Sequence, residues 1–161
     1  MLKRRVIVHV SDARISGNPH EIIATYSLGS CLGICLYDPA AHIGGMLHCQ
    51  LPDSGMEPEK ARDKPQMFVD TGMKWLMDGL IAAGAITARL QVKVAGGAAM
   101  DMGPKGFDIG KRNYLAVRKV LWKNGMFVNG QDVGGSSPRN MYLNIETGEV
   151  TVRSMALSRM L

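Results

Sequence analysis

The chain has 161 residues, 46% of them hydrophobic and 20% charged, a balance that fills a sizeable globular core and excludes a largely disordered polymer. The formal charge is +5, but lysines and arginines are scattered beyond Lys3–Arg5 and only 6% of residues are aromatic, so neither a basic tract nor a stacking platform for nucleic acid is visible. Three cysteines without scaffold spacing point to a reducing compartment, and no apolar run approaches the ~18 residues of a membrane span.

Behind the basic start of "MLKRRVIVHVSDAR" the apolar stretch is too short for a signal-peptide core, so the expected location is cytoplasmic, without membrane insertion. "RRVIVHV", "EIIATYS" and "CLGICLY" read as strands, and "GGMLHCQLP" as another reached through "DPAAHI", where Asp38-Pro39 opens a turn. "DSGMEPEKARDKP" reads as an exposed loop. A helix follows in "QMFVDTGMKWLMDGLIAAG", with Phe68, Trp75, Leu76 and Leu80 on its core face and Gly84 as its stop. "ARLQVKVAGGAAM" is a strand ending in a glycine pair. A second helix spans about Ile109 to Asn124, capped by Asp108 and closed by Gly125, with the stripe Val117, Val120 and Leu121. "MFVNGQDV", "RNMYLNIE" and "EVTVRSM" complete the strands, the last two joined by a hairpin at Thr147-Gly148. The expected fold is a single domain over residues 1–161, an α/β (α+β) sandwich of mostly antiparallel or mixed sheets with two main helices packed on them.

Taken alone, Cys31 is a buried structural thiol and His48 a core histidine. Their relation changes that reading. If Pro39-Ala40 is the centre of a hairpin, Asp38 pairs with Ala41 and Cys31 stands opposite His48, within reach of a thiol–imidazole hydrogen bond. A cysteine nucleophile needs such an imidazole to take its proton and to deliver one to a leaving amine. Gly29 permits a corner before Cys31, so that backbone N–H groups around Gly29-Ser30 could face an oxyanion, and Gly44 and Gly45 would leave room for substrate near His48.

A zinc site built from Cys31, Cys35, His48 and Cys49 fails on strand geometry. Cys31 and Cys35 are separated by about 13 Å along an extended chain, and His48 and Cys49 face opposite ways. No metal is therefore expected, and Cys35 and Cys49 read as core thiols. "SLGSC" is not a serine-hydrolase elbow, and neither "AGGAAM" nor "VGGSSPR" is a P-loop or dinucleotide fingerprint, so no cofactor is expected either.

"LGSCLGICLYDP" followed by "GGMLHCQLPDS", "AGGAAM", "FDIGKRN" and "DVGGSSPRNMYLNIETGEV" resembles the chemoreceptor glutamine deamidase family, CheD, over nearly the whole chain. The resemblance implies an α/β sandwich related to the toxin deamidase cytotoxic necrotizing factor. It implies hydrolysis of glutamine side chains on the cytoplasmic helices of chemoreceptors to glutamate and ammonia, with a possible methylesterase side activity. It also implies a catalytic set of Cys31, His48 and Thr25, the threonine holding the histidine. Residue spacing gives Thr25 no role beyond an ordinary strand residue. The implied partners are chemoreceptor cytoplasmic domains and the phosphatase CheC, whose regulation by binding is the alternative function. One departure stands out: many members have a glycine where this chain has Pro138, just before Arg139.

Overall fold

The computed structural model describes residues 2–100, 108–155 and 157–161; Phe107, the first residue of "FDIGKRN", lies outside them. Among the described residues run strands β1 (Arg4–Ile7), β2 (Asp12–Ser16), β3 (Glu21–Leu28), β4 (Leu32–Asp38), β5 (Ile43–Cys49), β6 (Gln91–Gly96), β7 (Gly130–Val133), β8 (Arg139–Asn144), β9 (Val150–Ser154) and β10 (Leu157–Met160). The helices are α1 (Pro58–Asp63), α2 (Val69–Ala82) and α3 (Ile109–Lys123).

The strands form two five-stranded sheets, ordered β1-β3-β8-β9-β10 and β2-β5-β4-β6-β7. The β1–β3 and β6–β7 pairs are parallel and the other ladders antiparallel, so both sheets are mixed, as the sequence predicts. Strand β4 shows how the layers stack. All of it is buried, which explains its continuous apolar run, and its side chains alternate between two cores. Leu32, Ile34 and Leu36 join Val69, Met73, Leu76 and Leu80 of α2 and Val117 and Leu121 of α3. Cys35 and Tyr37 face the other way and join Ile23, Met141, Leu143 and Val152 of the first sheet. The result is a sheet–sheet–helix sandwich.

Helix α3 matches its expected limits: the Asp108 carboxylate accepts from Lys111 N–H at the N-terminus, and Gly125 follows the last turn with φ +69°. Three expectations fail, each for a local reason. The segment after Pro52 is not plain loop, since it holds α1 between single 3-10 turns at Ser54–Met56 and Pro65–Met67. Strands β2 and β10 escape sequence reading because each is short and polar. Trp75 is not core: it is 40% exposed, while Val69, Gly72, Met73, Leu76 and Leu80 form the buried face. The misplaced phase came from Phe68, which is extended and precedes the helix, so its seven-residue spacing to Trp75 is not a helical one.

The hairpin register is also corrected. Asp38 pairs with Ile43, not Ala41, and this places Gly33 rather than Cys31 opposite His48. The cause is the Asp38 side chain, which accepts from the N–H groups of Ala40 (3.0 Å) and Ala41 (3.1 Å) while its carbonyl accepts from His42 N–H (2.9 Å). The turn therefore takes four residues, with His42 at φ +54°. The same fully buried carboxylate receives the Arg89 guanidinium at 2.8 Å and the Ile86 N–H at 2.9 Å. Burial alone would raise its pKa, but Arg89 and the Ile86, Ala41 and Ala40 N–H groups together hold it far below the usual carboxylate range. A depressed carboxylate stabilises the fold above its unfolded pKa and loses that contribution only as acid titrates the folded group, so the clamp is intact at neutral pH. Asp38→Ala is expected to cost roughly 3–5 kcal/mol at pH 7, read by urea unfolding; a loss within the scatter of ordinary surface substitutions would contradict this account of the turn.

Candidate active site

Thr25 of β3 and His48 of β5 belong to different sheets and meet between them. Thr25 Oγ1 lies 2.7 Å from His48 Nδ1 and 2.7 Å from the Val8 carbonyl, and both side chains are buried. The proton assignment follows from valence. The Val8 carbonyl can only accept, so it takes the single threonine proton; His48 Nδ1 must then carry a hydrogen and donate it to Oγ1. His48 is thereby fixed as the Nδ1–H tautomer, and its buried Nε2, which has no hydrogen-bond partner among the described residues, holds the free lone pair. Burial lowers the His48 pKa to about 4, so the ring is neutral at physiological pH.

Cys31 sits just ahead of β4 in the short link from β3. It is half-buried and packs against the inter-sheet core, the layer that contains His48. Gly33, two residues on, is the strand partner of His48, and continuing that register places Gln50 across from Cys31. No thiol–imidazole hydrogen bond is formed among the described residues. Burial raises the Cys31 pKa, opposed in part by its own backbone N–H, so the resting pair is a neutral thiol and a neutral imidazole rather than an ion pair.

The link carrying Cys31 is held by its carbonyls. Gly29 C=O accepts from Ala98 N–H (2.8 Å), Cys31 C=O from Gly97 N–H (2.9 Å), and Ser30 C=O from the Asn113 side chain (3.0 Å). Close packing at this seam explains the glycine pair of "AGGAAM": a Cβ on Gly96, at φ +106°, would lie 2.2 Å from the Cys31 carbonyl oxygen. The seam continues into "VGGSSPR", where Gly134 N–H reaches Gly96 C=O (2.9 Å) and Ala99 N–H reaches Gly135 C=O (2.8 Å). Buried Arg139 cages that loop, donating to the carbonyl of Asp132 (2.8 Å), its carboxylate (2.7 Å) and the carbonyls of Gly134 and Ser137. The Arg139 side chain thus supplies the donors that order the segment. Pro138 contributes only its carbonyl, toward Ser154 Oγ at 3.5 Å.

Gly44 and Gly45 serve packing rather than substrate access. A Cβ on Gly44 would lie 2.7 Å from the Tyr37 ring, and one on Gly45 would lie 2.7 Å from Leu76. Cys35 and Cys49 are buried in different layers, Cys35 between the sheets and Cys49 under the helices, each with its thiol pKa raised chiefly by burial. Among the described residues no group of three or more His, Cys, Asp or Glu side chains is placed to hold a metal ion. Sequence reasoning missed Asn113, Ser11 and Gln50. Ser11 Oγ donates to Gln50 Oε1 (2.7 Å), and Asn113 also reaches the Gln50 carbonyl (2.9 Å). Asn113 carries a legible signal, because it is the polar member of the buried α3 stripe Gly110, Asn113, Val117 and Leu121.

Fold and site together define a sheet–sheet–helix sandwich in which a loop thiol packs into the layer occupied by a threonine-held neutral histidine. A family model described as CheD chemotactic sensory transduction matches residues 50–154, and the chain belongs to this CheD family. A Solibacter usitatus protein named probable chemoreceptor glutamine deamidase CheD is 49% identical over 91% of this chain and 86% of its own. The Thermotoga maritima chemoreceptor glutamine deamidase CheD is 40% identical over 92% and 91%. A Neisseria meningitidis structure of the DUF152 family, at 13% identity and TM-score 0.45, covers 84% of this chain and 64% of that one.

An NMR pH titration should find the His48 ring neutral down to about pH 5 and protonating near 4, where an ordinary histidine titrates near 6.5. Since the folded ring binds its proton less readily than the unfolded one, its contribution to stability is full above about 6.5 and declines as pH falls toward 4. A midpoint near the ordinary value would refute the buried neutral tautomer.

Proposed function

We propose that the protein hydrolyses the side-chain amide of selected chemoreceptor glutamines, giving glutamate and ammonia, with Cys31 as nucleophile, His48 as proton carrier and Thr25 as its anchor. The observation that carries this reading is the Thr25 hydrogen bond. It leaves one buried imidazole nitrogen, Nε2, unprotonated and without a hydrogen-bond partner among the described residues, in the layer where Cys31 packs. The substrate class comes from the chemoreceptor glutamine deamidases that the chain resembles across most of its length.

Chemistry then follows from the neutral pair. As the glutamine carbonyl enters, His48 Nε2 takes the Cys31 thiol proton and sulfur bonds to the carbonyl carbon. The oxyanion faces the backbone N–H groups of Ser30 and Cys31. These point away from the seam because the Gly29 and Ser30 carbonyls point into it. When the tetrahedral adduct collapses, the carbon–nitrogen bond breaks and His48 returns its proton to the departing ammonia. Water then adds to the thioester while His48 accepts its proton, and expulsion of the sulfur regenerates thiol and imidazole with glutamate formed. A glutamyl methyl ester would follow the same steps with methanol leaving.

In this reading the enzyme works in the cytoplasm on the cytoplasmic receptor helices; no helix among its described residues is long and apolar enough to cross a membrane. Binding to a CheC phosphatase is a separate property that does not need the thiol, so it survives Cys31→Ala. Incubated with chemoreceptor cytoplasmic fragments, the wild type should release ammonia and produce the glutamine-to-glutamate mass gain, while Cys31→Ala and His48→Ala release none. Thr25→Val should fold and lower kcat by about tenfold to a hundredfold, the equivalent of one lost hydrogen bond to a developing cation. Retention of wild-type deamidation by either the Cys31 or the His48 variant would sink the mechanism.

A further inference from the structure

Asn113 is fully buried on α3, and its side-chain amide joins two segments that no strand ladder connects at that point. Nδ2 donates to the Ser30 carbonyl at 3.0 Å and to the Gln50 carbonyl at 2.9 Å. Both partners can only accept, so the amide orientation is fixed by chemistry and the NH2 group must face them. The other end of the side chain, Oδ1, is buried without a hydrogen-bond partner among the described residues. An apolar residue of similar size would avoid that penalty, which means the site keeps its NH2 at a cost.

The two carbonyls belong to the segments that matter for the chemistry. Ser30 immediately precedes Cys31, and Gln50 follows β5 two residues beyond His48. Gly110, three residues before Asn113 on the same buried face, brings α3 to the seam: a Cβ there would lie 2.4 Å from Ala98 O and 2.5 Å from Gly97 O. Those same two residues hold the Gly29 and Cys31 carbonyls through their N–H groups. The first turns of α3 therefore form a template behind the Cys31 link. In a trans peptide unit the C=O and the following N–H point in opposite directions, so drawing Ser30 C=O toward α3 turns Cys31 N–H away from it. That N–H also lowers the pKa of its own thiol against the larger effect of burial.

We propose that Asn113 is the positioning residue of the active site. It sets the Cys31 link against the end of the His48 strand and aims the Cys31 N–H at the oxygen of the bound glutamine carbonyl. The proposal rests on Cys31 and His48 doing the chemistry proposed above; Asn113 itself touches no reacting atom.

Asn113→Leu removes both donors while keeping the number and branching of side-chain heavy atoms, and Asn113→Ser leaves at most one. Each would be compared with wild type and Cys31→Ala for thermal unfolding, for kcat and KM on a chemoreceptor cytoplasmic fragment, and for the pH dependence of Cys31 alkylation by iodoacetamide. The folded Leu variant is expected to lose about a hundredfold in kcat with KM changed less than about threefold, the pattern of a lost oxyanion donor. Its alkylation curve is expected to shift to higher pH, because the thiolate loses its oriented N–H. A role in stability alone would lower the melting temperature and leave both readouts where they are in wild type, and that result overturns the proposal. Should the Leu variant not fold, Asn113→Ser decides, with an intermediate kcat expected and an unchanged one overturning it. If wild type and Cys31→Ala release ammonia alike, the deamidase mechanism fails; the alkylation curves still report whether Asn113 orients the thiol.

Discussion

A threonine hydroxyl has one proton to give, and in this protein the Val8 carbonyl takes it. Everything about His48 follows from that constraint. Oγ1 can then only accept from the ring, Nδ1 must hold a hydrogen, and the basic lone pair is assigned to Nε2. Serine and cysteine hydrolases that use a carboxylate as third member gain electrostatic stabilisation of the imidazolium as well as orientation. A threonine supplies orientation without a charge of its own. The depressed His48 pKa has burial as its cause, which favours the neutral ring; in the mechanism proposed above the cation forms only while substrate negative charge is near.

Burial acts on the thiol in the opposite sense and to the same end. It raises Cys31 as it lowers His48, so neither partner ionises before the substrate arrives. Such a pair is chemically quiet in the free protein, which suits an enzyme whose substrate is a side chain on another protein. In the mechanism proposed above, proton transfer and attack are coupled to substrate entry, so the backbone around Cys31 has to be set beforehand. The carbonyl seam holds that backbone, with Gly29 and Cys31 engaged by the adjacent N–H groups of Ala98 and Gly97 and Ser30 by the Asn113 side chain of α3. A loop whose acceptors are all engaged inward presents donors outward, and donors are what a developing oxyanion requires.

The sandwich was legible where local patterns decide. Capping marked α3, since Asp108 and Gly125 bracket a single apolar stripe. The fully buried run of β4 marked a central strand. Legibility failed where a distant group overrides a local rule. Asp38 reads as a turn opener, but its four-residue turn is stabilised by Arg89 and Ile86, some fifty residues away in sequence. Thr25 had no residue-level signal because its partner lies 23 positions on and in the other sheet, so only family resemblance singled it out. Asn113 was passed over inside a helix read for its apolar stripe, although a polar residue in that stripe must find partners somewhere.

The wider turn leaves His48 on the same face of the sheet that a two-residue turn would give it. The count was off by two residues, from a two-residue to a four-residue turn, and side chains on a strand alternate with a period of two. A slip of one would have sent His48 to the helix face, away from Cys31. A slip of two kept it on the inter-sheet face with Cys31 and moved it diagonally along that face. The position opposite Cys31 then falls to Gln50, whose side chain is held by Ser11 and whose carbonyl is held by Asn113. Gly33, directly opposite His48, leaves its space to the inter-sheet core: a Cβ there would lie 2.8 Å from Leu28 Cδ1 and 2.9 Å from Met141 Sδ. The wider turn thus leaves Cys31 facing a Gln50 braced by Ser11 and Asn113, and leaves position 33 to the packing between the sheets.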